Sequence, residues 1–240
     1  MITGGATGIG RAIAVELARA GARVAVTYRT HEPDDELTAE LSAAGEAVLL
    51  PLDATADDQV ASTMQRLAGE FGSLDILVNN AGGLVQRSTI AEMDFTLWRK
   101  VIAVNLDSMF LVTHHALPFL AAGGRIINVA SLAGRNGGHP GATAYAASKA
   151  AVFGFTRGLS KELAPSGITV NALAPGFIEA TPFHDTFTSP ASKAATISTI
   201  PLQRAGTPGD VSGLALWLAS DQSSFITGTV LDINGGQYFG

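Results

Sequence analysis

The chain alternates between short apolar runs and longer amphipathic stretches. The short apolar runs are mostly unbroken series of Val, Ile, Leu and Ala, which is typical of strands buried on both faces of a parallel sheet. They lie at 1–3, 23–28, 47–52, 74–79, 124–131, 168–174 and 230–233. Longer amphipathic stretches predict helices near 9–20, 34–44, 56–71, 94–121, 143–164 and 208–220. Repeated strand–helix alternation predicts a three-layer α/β fold with a doubly wound parallel sheet, as a single domain over 1–240.

One long stretch, 176–201, departs from this alternation. It is rich in Ser and Thr and is interrupted by Pro182, Pro190 and Pro201. An irregular loop of this length inside a compact domain usually has a function. We therefore expect a substrate lid at about 176–201.

A glycine-rich loop lies between the first predicted strand and the first predicted helix. Residues 3–10 read Thr-Gly-Gly-Ala-Thr-Gly-Ile-Gly. Gly4 would permit a tight turn, Gly8 would let the backbone approach a pyrophosphate, and Gly10 would let the helix pack close to the strand. The helix N-terminus offers free N–H groups and positive dipole to phosphate. A flexible turn is the alternative, but the position in a βαβ unit favours a Rossmann-type dinucleotide site that includes Thr7 and Ile9.

The end of the second predicted strand bears on the choice of coenzyme. NAD sites of this type usually place an acidic residue there to hold the ribose 2′-hydroxyl. Tyr28, Arg29 and Thr30 occupy this region instead, and Arg29 could bind a 2′-phosphate through charge-assisted hydrogen bonds. A solvated surface arginine is the alternative. The sequence favours NADP(H) over NAD(H).

A candidate acid–base pair lies at the start of the helix near 143–164. Tyr145 and Lys149 are four residues apart and would share a helix face. A phenol with a pKa of about 10 is a poor catalyst at neutral pH, and a cation within roughly 4–6 Å would lower that pKa. Ser131 ends the fifth predicted strand and could hydrogen-bond a carbonyl oxygen near Tyr145. The alternatives are a structural Tyr–Lys pair and a capping serine.

Composition narrows the classes of function. With 240 residues, 47% hydrophobic and 15% charged, the chain can fill a large core, which excludes disorder. The formal net charge of −6 argues against a nucleic-acid partner. The lack of cysteine excludes disulfides, thiolate catalysis and Cys-ligated zinc, and we expect no metal site. No apolar run reaches eighteen residues and no basic–apolar leader is present, so we expect a soluble, cytoplasmic protein without a membrane partner. Because the chain opens almost directly on its glycine loop, we expect that residues are missing before Met1.

Taken in order, these motifs resemble the short-chain dehydrogenase/reductase family over essentially the whole chain. The matching positions are the glycine loop, Asp53, residues 79–82 (Asn-Asn-Ala-Gly), Asn105, Ser131, Tyr145 with Lys149, Pro175 with Gly176, and residues 234–236 (Asn-Gly-Gly). The resemblance implies an NADPH-dependent ketoreductase that transfers hydride to a ketone, with Tyr145 as general acid and Ser131 positioning the carbonyl. A nucleotide-sensing protein without turnover is the remote alternative, although it should lack part of the Asn105, Ser131, Tyr145 and Lys149 set.

The same resemblance implies further roles. Asn105 would anchor a water in a proton relay through Lys149, which would also bind the nicotinamide ribose. Family members often form homotetramers, through the helices near 94–121 and 143–164 and the last strand. Thr181 comes one residue later than the family's usual Pro-Gly-x-x-x-Thr spacing. The implied cofactor contacts are Asp53 and Ala54 at the adenine, Asn80, Ala81 and Gly82 at the ribose, Ile178 and Thr181 at the carboxamide, and the neighbouring Pro175 and Gly176.

The resemblance slightly favours a 3-oxoacyl thioester as the substrate, and a second branch of the family is the alternative. The chain as a whole resembles 3-oxoacyl-[acyl-carrier-protein] reductases, for which Arg125 is a candidate for docking an acidic carrier, although Ser166 stands where carrier-binding relatives can have arginine. Residues 79–85, 137–142 and 231–238 instead resemble reductases of keto-sugar acids such as uronates, and a polyol is a related possibility. His139 and His184 lie in loops expected to overhang the active site, so each is a candidate substrate contact.

Overall fold

The computed structural model describes residues 1–187 and 189–240, with the side chains of 183–185 left out of the description. Its strands are β1 (Val24–Tyr28), β2 (Ala47–Pro51), β3 (Leu74–Asn79), β4 (Leu120–Val129), β5 (Thr169–Pro175) and β6 (Val230–Ile233). Its helices are α1 (Gly8–Arg19), α2 (Asp35–Ala44), α3 (Asp57–Phe71), α4 (Phe95–Ile102), α5 (Ser108–Ala116), α6 (Ala133–Asn136), α7 (Thr143–Leu163), α8 (Pro182–Phe187), α9 (Pro190–Ser198) and α10 (Pro208–Ala219). None of the described helices combines the length and the apolar character that a membrane-spanning helix requires.

The strands form parallel ladders that meet at the N-terminal segment. β1 pairs with β2, and β3 to β6 pair in chain order. Ile2 pairs in parallel with Val26 of β1 and with Val78 of β3, so it joins the two ladders. The predicted first strand at 1–3 is therefore a single bridging residue. The chain winds outward from Ile2 to β2 and then crosses to β3 to β6, which confirms the doubly wound parallel sheet.

Helices cover both faces of this sheet. Val24 and Val26 belong to a buried cluster with residues of α1, α2 and α10, whereas Ala25 belongs to a second cluster with residues of α3, α5 and α7. Successive strand residues point to opposite faces, so a strand covered on both faces needs apolar residues at every position. This explains the unbroken apolar runs and confirms the three-layer α/β architecture.

Two stretches differ from the elements that the sequence predicts. The helix expected over 94–121 is interrupted between α4 and α5 by a π-helical turn at Ala103–Asp107, and it ends before β4 begins. The stretch 176–201 is not wholly irregular, because it contains α8 and α9. The start of α9 follows ordinary capping chemistry: the Ser189 hydroxyl accepts from the backbone N–H of Ser192 at 3.3 Å, and Pro190 occupies the first turn.

Candidate active site

A cleft of about 890 Å³ lies along the carboxyl ends of the strands. Its walls include the residues at or just after the ends of β1 to β5, where an open α/β sheet binds its ligands. The structure brings together in this cleft all the residues that the sequence assigned to the cofactor: Gly4, Thr7, Gly8, Ile9, Gly10, Tyr28, Arg29, Thr30, Asp53, Ala54, Asn80, Ala81, Gly82, Tyr145, Lys149, Pro175, Gly176, Ile178 and Thr181.

The glycine loop forms a cradle that side chains would fill. Gly4 and Gly8 have φ values of +61° and +54°, in the left-handed region that glycine tolerates best. A Cβ atom on Gly10 would lie 2.4 Å from the carbonyl oxygen of Gly4, and one on Gly8 would lie 3.3 Å from Cγ2 of Thr181. The loop therefore faces residue 181 across the cleft. With the N-terminus of α1 at Gly8, this bare backbone fits a dinucleotide pyrophosphate.

The segment after β3 holds the glycine loop in place. The side-chain amide of Asn80 donates to the carbonyl oxygens of Thr3 and Gly4 at 3.0 and 2.9 Å. The hydroxyl of Thr3 in turn accepts from the backbone N–H groups of Asn80 and Ala81, both at 3.0 Å. The Asn80 amide is thus engaged in shaping the cradle, while its implied contact with a cofactor ribose stays a prediction.

Arg29 and Asp53 stand at the end of the cleft formed by β1 and β2. Arg29 is half exposed, and its Nε lies 3.4 Å from Oδ2 of Asp53. Partial burial acts to raise the pKa of Asp53, but hydrogen bonds from the side chain and backbone of Thr55, aided by the Arg29 charge, outweigh it, so this pKa is lowered. Arg29 is therefore accessible to a ligand at this end of the cleft, where it already shares its charge with a carboxylate.

The proposed acid–base residues converge at the end of β4. A hydrogen bond joins the side chains of Tyr145 and Ser131, and Oγ of Ser131 accepts from the backbone N–H of Ala133 at 3.1 Å. Nζ of Lys149 donates to the carbonyl oxygen of Val129 at 2.7 Å and lies 5.9 Å from the centroid of the Tyr145 ring. The sequence expectation that these three side chains meet at the carboxyl edge agrees with this geometry.

The expected lowering of the Tyr145 pKa is not what the structure gives. Burial raises the pKa of Tyr145, and the hydrogen bond from Ser131 opposes that rise only in part. Burial also lowers the pKa of Lys149 to about 8. The reason is that Lys149 is 3% exposed and directs its ammonium to a backbone carbonyl, so desolvation of both groups dominates.

Asn105 lies behind the cleft wall. Its Oδ1 accepts from the backbone N–H of Gly83 at 2.9 Å, and its Nδ2 donates to the carbonyls of Gly83 and Val101 at 2.8 and 2.9 Å. A Cβ atom on Gly82 would lie 2.7 Å from Oδ1 of Asn105 and 3.1 Å from Nζ of Lys149, so the two residues flank Gly82 closely. The π-helical turn places Asn105 here. Its role in a water relay stays a prediction.

Of the other candidates, His139 lines the cleft, whereas the side chain of His184 lies outside the described part of the structure. Arg125 lacks the exposure expected of a docking residue. It lies four residues, roughly 13 Å, before Val129 at the cleft edge. It is 7% exposed and donates to the carbonyls of Gly123 and Gly124 and to Oδ1 of Asp221, so little of its side chain is accessible to a carrier.

Sequence reasoning missed several residues of the cleft. Arg87 and Lys100 contribute positive charge to its lining, and Leu84, Val85 and Phe187 contribute apolar surface. Arg87 comes after the Asn-Asn-Ala-Gly segment at 79–82 and lies outside that family motif. No periodic signal marks it, because a turn and not a helix or strand brings it to the cleft.

Comparisons with known proteins show the family to which the chain belongs. Residues 4–237 match the family model described as enoyl-(acyl carrier protein) reductase. The 3-oxoacyl-[acyl-carrier-protein] reductase of Thermotoga maritima is 41% identical over 239 residues, which cover 98% of this chain and 96% of the relative. The chain belongs to the short-chain dehydrogenase/reductase family, and we regard it as an oxidoreductase of that family.

Two further similar proteins carry names other than 3-oxoacyl reductase. The cis-4-hydroxycyclohexanecarboxylate dehydrogenase of Sinomonas cyclohexanicum is 39% identical over 239 residues, covering 98% of this chain and 94% of the relative. The crystal structure of A1-R′, an NADH-dependent reductase responsible for alginate metabolism, superposes with a TM-score of 0.89 at 32% identity, covering 100% of this chain and 96% of that one.

Proposed function

We propose that this protein is an NADPH-dependent ketoreductase. The observation that carries the proposal is the convergence of Ser131, Tyr145 and Lys149 in the same cleft as a glycine cradle that fits a dinucleotide. Two hydroxyls that share a hydrogen bond beside a buried lysine can hold and protonate one substrate oxygen. A ketone is a suitable substrate for this arrangement, because its oxygen becomes an alkoxide during reduction.

Three residues of the cleft would then have separate roles in the reduction. When bound, NADPH would supply the hydride. Ser131 donates a hydrogen bond to the carbonyl oxygen, and Tyr145 donates its phenolic proton to the same oxygen as negative charge develops there. The raised pKa of Tyr145 keeps the phenol protonated at neutral pH, which suits a general acid in the direction of reduction. Lys149 supplies positive charge nearby and stabilises the phenolate that remains.

NADP(H) is proposed as the coenzyme because Arg29 lines the adenosine end and no acidic residue replaces it at the end of β1. The Arg29–Asp53 ion pair tempers this preference, since the carboxylate competes with a phosphate for the guanidinium. The NADH-dependent relative A1-R′ shows that coenzyme choice has to be measured.

For the substrate, we propose a 3-oxoacyl thioester first, on the strength of the 41% identity to a 3-oxoacyl reductase over nearly the full chain. A keto acid is the second candidate, because the names of two relatives specify a ring carboxylate and alginate metabolism. The burial of Arg125 weakens one argument for carrier docking. We also propose a homotetrameric assembly, a lid over 176–201 and a cytoplasmic location.

The test is consumption of NADPH and NADH with a panel of ketones that spans acyl thioesters and keto acids, by wild type and Tyr145→Phe. Removing the hydroxyl should lower kcat by roughly two to four orders of magnitude and leave NADPH binding intact. Tyr238→Phe is the matched control, since Tyr238 lies outside the cleft lining. More than a tenth of wild-type kcat in Tyr145→Phe would remove this residue from its role. Coenzyme binding without turnover of any ketone would favour the nucleotide-sensing alternative.

A further inference from the structure

The charges that line the cleft are unevenly distributed. Asp53, the one carboxylate among the described lining residues, pairs with Arg29 beside β1 and β2. The rest of the described lining carries Arg87, Lys100 and Lys149 without a carboxylate, and Arg87 lies where the loop at 138–141 and α8 meet. This accumulation stands out in a chain whose formal net charge is −6. The side of the cleft next to the loop at 138–141 is therefore a candidate anion site.

A strained turn directs Arg87 to this position. The backbone N–H of Gln86 donates to the carbonyl of Leu84 at 2.8 Å, and the residue between them, Val85, has a φ of +66°. This is a γ-turn with its centre in the left-handed region, a conformation that is strained for a β-branched residue. Such strain persists only where neighbouring structure fixes it. Here the backbone N–H of Ser88 donates to the carbonyl of Gly141 at 3.0 Å.

The side chain of Arg87 is also held in place. Its Nη1 donates to the carbonyl of Pro140 at 2.9 Å and its Nη2 to that of Phe187 at 3.4 Å. A Cβ atom on Gly141 would lie 2.7 Å from Cγ of Arg87, so glycine leaves room for the arginine stem. No carboxylate of the described residues lies within ion-pair distance of this guanidinium. A guanidinium has five N–H donors, so two carbonyl contacts leave donors for a ligand.

We infer that Arg87 binds an anionic group of the ketone substrate, a carboxylate or a phosphate monoester, with Lys100 adding to the positive charge. This inference rests on the proposed ketone reduction, which it narrows to one substrate class. Arginine suits the task because its planar fork matches both anions through paired hydrogen bonds. The competing explanation is that Arg87 only ties the lid helix α8 to the loop at 138–141, in which case the charge of the substrate is irrelevant.

Matched substrates separate these two explanations. The probes are the keto acids acetoacetate, levulinate and 5-oxohexanoate, each compared with its methyl ester, which keeps the ketone and removes the charge. Wild type should prefer the acid of suitable length, and Arg87→Gln should lower kcat/KM for that acid about ten-fold or more while leaving the ester within about three-fold. Arg66→Gln, which removes the same charge from α3 outside the cleft lining, should change neither. An equal loss for acid and ester, or no preference in wild type for any anion, would overturn the inference.

A second arm identifies the source of the anion. Acetoacetyl-phosphopantetheine and acetoacetyl-pantetheine differ only by a phosphate monoester. Loss of the preference for the phosphorylated thioester in Arg87→Gln assigns the site to a carrier-derived phosphate. A loss confined to the keto acids assigns it to a substrate carboxylate.

A binding measurement tests recognition of the anion separately from turnover. Calorimetric titration of the NADPH-loaded protein with levulinate, 5-oxohexanoate, acetoacetyl-phosphopantetheine and their neutral counterparts measures recognition without chemistry. Selective binding of an anion by wild type, lost in Arg87→Gln, supports the inference even if no ketone is reduced, in which case the proposed function alone fails. Equal affinity for the charged and neutral members of every pair would contradict the anion site whatever the enzyme catalyses.

Discussion

Lys149 illustrates how a single residue can oppose stability while serving the site. Burial disfavours its ammonium form and lowers its pKa from 10.5 to about 8. Between those two pH values the unfolded chain binds a proton that the folded chain does not, so stability should rise with pH across that window. Below pH 8 both states carry the proton, and the desolvation cost is present in full. At neutral pH the folded protein therefore retains a charge that destabilises it.

Replacing Lys149 should reveal how much burial of its charge lowers the stability of the fold. Lys149→Met is expected to raise the free energy of unfolding at pH 7 by about 1–3 kcal/mol and to abolish turnover. Urea unfolding at pH 7 and again near pH 10.5 is the measurement, and the advantage of the variant should shrink at the higher pH. A variant less stable than wild type at pH 7 would show that the hydrogen bond to Val129 outweighs desolvation.

Arg29 is the residue on which the proposed coenzyme preference depends. Losing a charge-assisted contact to a 2′-phosphate costs roughly 1.5–3 kcal/mol. Arg29→Ala should therefore raise the Kd for NADPH by about ten-fold or more and leave that for NADH nearly unchanged. Fluorescence titration with both coenzymes measures this, with Arg19→Ala on α1 as a control outside the cleft. Parallel changes for the two coenzymes would mean that Arg29 does not distinguish them.

At the scale of elements, two glycines differ in the space around them: Gly10 is tightly packed against the glycine loop, whereas Gly69 lies in an open part of α3. A Cβ atom on Gly10 would lie 2.4 Å from the Gly4 carbonyl, whereas one on Gly69, inside α3, meets nothing within 4 Å. Gly10→Ala should displace the loop and weaken NADPH binding by at least ten-fold. Gly69→Ala should stabilise the protein by roughly 0.5–1 kcal/mol, because alanine is the better helix former, and leave binding unchanged. Thermal unfolding with and without NADPH tests both, and normal coenzyme binding by Gly10→Ala would contradict the cradle.

The helices and strands that the sequence predicts well are those whose apolar residues follow a regular pattern. The buried strands and the helices α1, α3 and α7 were predicted within a few residues, because both faces of the sheet demand apolar runs and the helices need one apolar stripe. The π-helical turn at Ala103–Asp107 was not predictable from period, since it stays helical and only shifts register around Asn105. The helix α9 was missed although Ser189 followed by Pro190 is a readable helix start.

The same contrast holds within the site. Tyr145, Lys149 and Ser131 could be predicted because their spacing and their positions at element ends are local features of the sequence. Arg87 could not, because its approach to the cleft depends on a left-handed turn at Val85 and on a carbonyl from a loop more than fifty residues away. The position of Arg125 four residues before the cleft edge follows from its place within β4, once the bounds of the strand are known.

At the scale of the whole molecule, apolar surface remains exposed on the helices expected to form the subunit interface. Phe95 on α4 and Phe110 on α5 are 74% and 52% exposed, and the ring of Phe110 stacks on that of His114 with centroids 5.7 Å apart. Large aromatic side chains left in water cost free energy that association would recover. Their position on the long helical segment supports the proposed tetramer, in which β6 would form the second interface.

Breaking one of two interfaces should leave the other in place. Wild type should elute with four times the chain mass of 24.6 kDa. Phe110→Glu should give dimers held through β6, because the carboxylate cannot be buried unpaired against its symmetry copy. Light scattering after gel filtration measures the mass, circular dichroism checks that the variant folds, and Ser42→Glu on α2 controls for added charge. A folded Phe110→Glu variant that remains tetrameric would exclude α5 from the interface, and a monomeric wild type would contradict the assembly itself.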